Sequence, residues 1–273
     1  MAYPVIAAPY GFKPVSLIGG QVFSGSTRSY TIQNNYGTSI FYGDFVTTTN
    51  GLVTLAQVTS STAGKQAIGV FLGCSYTNPL TKQKTFSQYY PANTAAGDIQ
   101  AVVVEDPDTV LKAVMVTANG GSVLASASQA VVGLNLAGSY QVGNTLNGDS
   151  LNGLVAPTAT PSTGLPFRVL ALVPDTAIAT SAPGSVSAGT TITLTGAGLT
   201  TAIPQGADVA YLLNGQLVQT GAFVANAGGY AAGTTSVAVD KTITIPAAST
   251  IVFTTYSEVL VKVNFGIHNY YAA

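Results

Sequence analysis

Short runs rich in β-branched and aromatic residues, separated by turn-forming residues, recur along the chain. Four of the clearest are the segments 38–47, 67–76, 99–105 and 110–117. Runs of this length and composition predict β-strands. No segment keeps the i, i+3, i+4, i+7 apolar spacing of an amphipathic helix over three turns. The pattern therefore predicts an all-β protein.

Asn-Gly dipeptides are the strongest turn signals, because both residues tolerate the positive φ of a tight hairpin. The chain has five of them, which begin at Asn50, Asn119, Asn147, Asn152 and Asn214. The flanks 210–213 and 216–219 are largely apolar, so the dipeptide at Asn214 predicts the clearest hairpin of the chain.

Composition divides the chain into three parts. Residues 1–15, interrupted by Pro4 and Pro9 and without a basic segment typical of a secretory signal, are predicted to form an extended N-terminal arm. A main β domain is predicted over 16–183 plus 254–273, with a loop over 176–184. Residues 184–253 carry only three charges and are predicted to form a small inserted β domain.

The predicted inserted domain contains an internal near-repeat. Ala-Gly-Thr-Thr occurs at 188–191 and 232–235, and the segment 207–211 is echoed by 249–253, as is Ile203-Pro204 by Ile245-Pro246. The apolar alternation after the two Ala-Gly-Thr-Thr copies is out of phase. Two explanations stay open, namely a bulge that restores the register and a likeness that is partly compositional.

Charge is scarce throughout the chain. Only 7% of the 273 residues are charged and 47% are hydrophobic, whereas about a quarter of an ordinary soluble domain is charged. The nine basic residues are scattered, which argues against binding to nucleic acid or to an anionic membrane. Polar residues interrupt every apolar run, so no transmembrane helix is expected. A surface this poor in charge favours burial in an assembly.

Candidate chemistry is equally scarce. The acidic cluster 105–108 could offer oxygen ligands to Ca²⁺, but its spacing fits no EF-hand and a solvated turn is favoured. A glycosidase pair could be drawn from Glu105, Glu258 or any of the eight aspartates, but nothing in the sequence brings two of them together. His268 has no accompanying nucleophile motif, and Cys74 lies in an apolar strand. We therefore expect no catalytic residue, no metal, no cofactor and no enzyme activity.

Tyrosine is the positive signal, with 14 residues that are frequent near both ends. Aromatic residues with a polar tip are enriched in protein interfaces. Aromatic side chains also line carbohydrate sites, so a surface glycan remains a possible partner. The predicted interface with a partner protein or neighbouring subunits consists of Tyr3, Tyr10, Phe12, Tyr89, Tyr90, His268, Tyr270 and Tyr271.

Several segments resemble structural proteins of tailed bacteriophages that belong to the capsid decoration, or cement, family. The run 9–28 is similar to the opening of these proteins. Segments 39–46, 51–53 and 67–73 look like their small-barrel pattern, with a Gly-Asp turn opening a strand, a short hairpin, and a strand returning through Ile-Gly-Val.

The likeness extends to 86–93 and 259–268, and it covers roughly 9–178 and 256–270. It implies a main domain that is a small β-barrel, β-tulip-like or a sandwich. It also implies a homotrimer, made in the host cytoplasm, that sits on the outer capsid surface and bridges subunits of the major capsid protein. Such families have no catalytic residues.

Three alternatives stay open. A glycan-binding or host-attachment virion module is the main one, and its candidate binding region is 184–253. A β-helical or sandwich hydrolase is less favoured, and assays after replacement of Glu105, Asp106 and Asp108 would test it. A major capsid protein is disfavoured because the sequence has no candidate for a long spine helix.

Overall fold

The structure is a computed structural model that describes residues 6–59, 67–121, 124–157 and 164–264. Regular structure in these ranges consists of strands and two single 3-10 turns, at Gln129–Val131 and Pro174–Thr176, so the all-β prediction is confirmed. The strands are β1 Lys13–Leu17, β2 Thr27–Thr31, β3 Phe45–Thr49, β4 Leu52–Leu55, β5 Gly69–Thr77, β6 Lys84–Ser87, β7 Gln100–Val104, β8 Thr109–Val116, β9 Asn135–Leu136, β10 Gly138–Ser139, β11 Gly153–Val155, β12 Phe167–Leu172, β13 Ile178–Leu194, β14 Asp208–Leu213, β15 Gln216–Phe223, β16 Ser236–Thr255 and β17 Glu258–Val263.

The described residues form two compact units. The larger unit contains residues 7–124, 133–171 and 260–264, apart from the segments left undescribed. The smaller unit contains Ile6, 125–132 and 172–259. It is therefore wider than the predicted inserted domain 184–253 and includes a short segment from earlier in the chain.

The larger unit contains a six-stranded sheet of order β2-β7-β5-β3-β4, with β6 paired to β5. Its neighbours are antiparallel, and a bulge lies in β5 between Phe71 and Gly73. One face packs a core that includes Ile32, Ile40 and Phe71. Tyr90 belongs to this core and is fully buried.

A seven-stranded sheet has the order β10-β11-β8-β17-β12-β9, and β1 pairs with β8. The pairing of Lys13 with Lys112 and of Leu17 with Thr109 makes β1 an integral strand. Pro9 is buried, and the Gly11 N–H donates to the Asn152 carbonyl at 3.0 Å. The predicted extended arm is therefore corrected for residues 9–15, which are built into the fold, and its residues 1–5 lie outside the described residues.

Three aromatic rings form the centre of this packing. Phe12 stacks on Phe167 with ring centroids 4.7 Å apart, and both rings contact Phe45. The three residues are nearly inaccessible to solvent. Contacts of this kind join the beginning of the chain to segments more than 30 and 150 residues away in sequence.

The smaller unit is built on an antiparallel sheet of order β13-β16-β14-β15. Alternate residues of its strands form a core that includes Ile192, Val209, Ile251 and Phe253. Because β13 begins at Ile178 and pairs with β16 there, the loop predicted over 176–184 is wrong for most of its length. Small and polar residues form this part of the strand because the partner strand supplies the hydrogen bonds.

The Asn-Gly turns divide into two groups. Asn50-Gly51 joins β3 to β4 and Asn214-Gly215 joins β14 to β15. Both dipeptides have φ of 52° and 79°, as a type I′ turn requires, so the predicted hairpin at Asn214 is confirmed. The dipeptides at Asn119, Asn147 and Asn152 lack positive φ at the asparagine.

The two halves of the near-repeat adopt different structures. Residues 188–191 lie within β13 at a bulge, where Ala188 has a φ of 47°, whereas residues 232–235 precede β16. The echoed segments are antiparallel neighbours, because Val209 pairs with Phe253. The bulge offered as one explanation of the phase difference is present at the first copy.

Candidate interaction surfaces

Among the described residues, neither a metal-binding group nor an ionised thiol is found. No three His, Cys, Asp or Glu side chains among them are grouped to hold a metal ion. Burial raises the pKa of Cys74 to about 12, so its thiol is protonated at neutral pH. In the parts of the chain that the structure describes, no helix has the length and apolarity to cross a membrane.

The acidic cluster 105–108 contains a turn, the arrangement that its sequence favours over a calcium site. The Asp106 carboxylate accepts the Asp108 N–H at 2.9 Å. Arg28 pairs with Glu105 at 3.1 Å and Lys262 pairs with Asp108 at 2.7 Å. The carboxylates therefore serve hydrogen bonds and ion pairs within the larger unit.

The predicted interface residues have different environments. Phe12 and Tyr90 are buried in the larger unit, and the Tyr90 hydroxyl donates to the Tyr36 carbonyl. We therefore correct the interface role predicted for these two residues to a core role, because neither side chain can reach a partner in this conformation. Tyr3, His268, Tyr270 and Tyr271 lie outside the described residues.

Tyr10 and Tyr89 remain partly accessible. The Lys13 ammonium lies 4.6 Å from the centroid of the Tyr10 ring, a cation–π contact. Tyr89 stacks on Phe41 with the ring centroids 5.4 Å apart. Both aromatic rings are thus held in place within the larger unit and remain candidates for a contact with a partner.

An apolar accessible surface of the larger unit lies around Phe86, which is 82% exposed. The surrounding groove is lined by uncharged residues, and we call it the Phe86 face: Tyr42, Leu72, Gly73, Cys74, Ser75, Phe86, Ser87, Gln88 and Val102. An exposed aromatic ring in a groove without charged residues is the composition typical of the core of a protein interface.

Strand pairing explains the orientation of Phe86. In β6, Ser87 pairs with Cys74, Phe86 with Ser75 and Lys84 with Thr77. Side chains alternate along a strand, so Phe86 and Lys84 share the solvent-facing side. The Lys84 ammonium bonds Asp98 at 2.9 Å, and the Thr77 N–H and this ammonium hold the pKa of Asp98 well below its usual range. The charges on this side of the strand are therefore paired.

A turn beside the Phe86 face carries a second exposed apolar side chain. Gln88, which lines the face, donates from its side chain to Asp149 at 3.0 Å. This contact fixes the turn 144–149, in which Leu146 is almost fully exposed. Sequence reasoning missed both Phe86 and Leu146 as site residues. The alternation Lys84-Thr-Phe-Ser87 contained the signal, because a residue two positions from a solvated lysine shares its face.

Two further surfaces are notable. A neutral groove in the larger unit is lined by Tyr36, Thr38, Thr47, Leu55, Ala56, Gln57 and Tyr140. In the smaller unit, the tip of the hairpin formed by β14 and β15 exposes Leu212, Leu217 and Val218. Neither the lining of this groove nor the tip of this hairpin contains a charged residue, which favours neutral ligands or neutral protein surfaces as partners.

No family model, curated protein or solved structure matches this chain.

Proposed function

We propose that the chain is a structural virion component, a capsid decoration protein that binds the outer surface of a tailed-phage head. Its partner is the major capsid protein, and its own copies associate as a homotrimer. The resemblance of segments 9–28, 39–46 and 67–73 to the cement family supports this assignment. The all-β fold and the scarcity of charge agree with it.

The exposed Phe86 is the single observation that carries the assignment of the capsid contact to a surface of the larger unit. Transfer of a phenylalanine side chain from water to an interface contributes about 1.5–3 kcal/mol, and no charge in the Phe86 face has to be desolvated. Many weak contacts repeated over a lattice add up through avidity. The capsid contact is therefore assigned to the Phe86 face, and binding there requires no covalent reaction.

The experiment uses the phage particles whose genome encodes the chain. Mass spectrometry of purified particles and immunogold electron microscopy measure whether the protein is on the outer surface. Particles without the protein are then incubated with recombinant wild-type chain, Phe86→Asp or Val22→Asp. Val22 is 81% exposed and is absent from the groove lining, which makes it a matched control.

We expect the wild type and Val22→Asp to bind alike and Phe86→Asp to lose at least about tenfold in occupancy. Far-UV circular dichroism establishes that the variants are folded. Absence of the protein from the particles would overturn the proposed function. Equal binding of Phe86→Asp and the wild type would instead overturn the assignment of the capsid contact to the Phe86 face.

Glycan binding is a second candidate, favoured by the groove between Tyr36 and Tyr140. The Tyr36 hydroxyl accepts the Leu55 N–H at 3.1 Å, which orients this side chain. Burial raises the pKa of Tyr140, so its phenol is neutral at physiological pH. Hydroxyl, amide and aromatic groups around a partly apolar floor suit a neutral sugar.

This groove lies in the larger unit, whereas the sequence placed glycan binding in 184–253. A glycan array probed with the wild type and Tyr140→Ala tests the candidate. Binding that is lost in Tyr140→Ala supports it. Silence of the wild type across a broad array, or equal binding by the variant, counts against it.

A further inference from the structure

The tip of the hairpin formed by β14 and β15 is apolar on both of its faces. Leu212 pairs with Leu217, and Tyr211 pairs with Val218, so the two pairs point to opposite sides. Leu217 is 54% exposed and Val218 is 38% exposed. A ribbon with one solvated face would alternate apolar and polar residues, which this tip does not.

β15 is also an edge strand, because it ends the order β13-β16-β14-β15. Its far end is covered, since Val224 forms a bridge with Val239. The segment 216–220 is paired in the described structure with β14 alone. Residues that flank a two-residue turn exchange hydrogen bonds, and bonded pairs then alternate, so the peptide groups of Leu217 and Gln219 point outward.

This edge lacks the usual protection against pairing. Natural edge strands carry lysine, other charges or proline, whereas 209–239 contains no charged residue and no proline. Gly221 has a φ of +67°, and the Lys241 ammonium lies beside it. The free edge therefore ends before Gly221. Five residues of open, uncharged strand edge remain, from Gln216 to Thr220.

We propose that this edge binds the same edge of a second copy of the chain. An antiparallel pairing of identical strands has a two-fold axis, and centring it on Val218 places Leu217 opposite Gln219 of the second copy. The outward peptide groups of these two residues then bond each other. Charged groups of a partner placed opposite this edge would lose their hydration and find no counter-ion there. The same edge of a second copy has no charged group between Gln216 and Thr220.

The self-pairing does not depend on a capsid partner. A two-fold contact joins two subunits, so in a homotrimer held by another surface it would link different trimers. Failure of this contact therefore leaves the proposed function intact, and absence of the protein from phage particles leaves the contact intact.

The experiment uses the position on the axis. Val218→Lys alone brings two positive charges together across the axis, and Val218→Asp alone brings two negative charges together. A mixture of the two variants pairs a positive charge with a negative one. Val218→Thr is the matched control because it keeps a β-branched side chain. Sedimentation equilibrium over a concentration series measures association, and circular dichroism checks the fold.

We expect the wild type and Val218→Thr to self-associate and each charged variant alone to associate at least about tenfold more weakly. Mixing the charged variants restores association. A wild type that shows no association attributable to this edge, charged variants that associate like the wild type, or a mixture that stays as weak as its components overturns the proposal.

A covalent test avoids the charged variants. Two cysteines that face each other in an unbonded antiparallel pair have the Cα separation of a disulfide. Val218→Cys is therefore expected to form a cross-linked dimer under mild oxidation, while the wild type does not, because Cys74 is buried. Absence of the cross-link in Val218→Cys contradicts the two-fold pairing.

Discussion

Both carboxylate oxygens of Asp208 accept the backbone N–H of Gln129, at 3.0 and 2.8 Å. Asp208 begins β14, and Gln129 begins a 3-10 turn in the short segment 125–132. The contact attaches this segment to the four-stranded sheet of the smaller unit. A second contact, between Ala127 and the Tyr256 carbonyl at 2.7 Å, supports the same attachment.

Removal of the Asp208 carboxylate is expected to loosen the segment 125–132. Asp208→Ala leaves the Gln129 N–H without its acceptor and lowers the free energy of unfolding by about 1–3 kcal/mol. Asp208→Asn keeps an oxygen acceptor and loses less. Urea unfolding and hydrogen exchange of the Gln129 amide measure the effect, with the exposed Asp175→Asn as control. An exchange rate unchanged in Asp208→Ala would contradict the prediction.

Acidification from pH 7 towards pH 4 is expected to stabilise the fold. Burial raises the pKa of Asp44 and that of Asp208 to about 6 each, above the usual value near 4. Between about pH 4 and pH 6 the folded protein binds more protons than the unfolded chain. The free energy of unfolding therefore rises as the pH falls through this window. Asp98, with its depressed pKa, loses its stabilising contribution only below about pH 4.

Urea unfolding from pH 4 to pH 8 checks this dependence. The Asp44 contribution is on the order of 3 kcal/mol at most, because one pKa unit corresponds to about 1.4 kcal/mol. Asp44→Asn combined with Asp208→Asn should flatten the profile. Stability that rises between pH 5 and pH 7 in the wild type would contradict the assignment.

Gly69 is expected to tolerate no side chain. A Cβ at this position would overlap with the Val104 carbonyl oxygen of the neighbouring strand. Gly69→Ala should therefore lower the free energy of unfolding by about 1–3 kcal/mol or more, since the backbone has to shift. Gly97→Ala is the control, because its Cβ would meet open space. Similar stability of the two variants in urea would show that the strands separate at little cost.

Truncation of residues 1–15 is expected to destabilise the larger unit. It removes Phe12 from its stack with Phe167 and removes part of β1 from its pairing with β8. Phe12→Ala alone should cost about 3–5 kcal/mol. Thermal unfolding of both proteins measures the loss. A truncated chain as stable as the wild type would restore the view of this segment as a separate arm.

The sequence predicted the features that depend on residues close together in the chain, namely the Asn214 hairpin and the all-β class. The Asn214 hairpin follows from two residues that tolerate positive φ, and the all-β class follows from strand composition. The burial of Phe12 could not be predicted, because Phe45 and Phe167 are distant in sequence. Residues 178–184 become strand for a similar reason: their composition favours a loop, and pairing with β16 overrides it.

The candidate surfaces were less predictable than the fold. Tyrosine content indicated an interface but did not separate the buried Tyr90 from the accessible Tyr89. Exposure of Phe86 was implied by its alternation with Lys84. The free edge of β15 depends on the strand order in the sheet, which a single sequence does not contain.

The long pairing of β13 with β16 has a mechanical consequence. Ile178 and Thr255, at one end of this ladder, are partners, and the chain enters and leaves the strands there. A force that pulls Ile178 and Thr255 apart acts on the hydrogen bonds at this end of the ladder first and breaks the bonds in sequence. A force along the strands would instead stretch many bonds together. The ladder of β13 and β16 is thus expected to open at a low force when Ile178 and Thr255 are pulled apart and to resist a force directed along the strands.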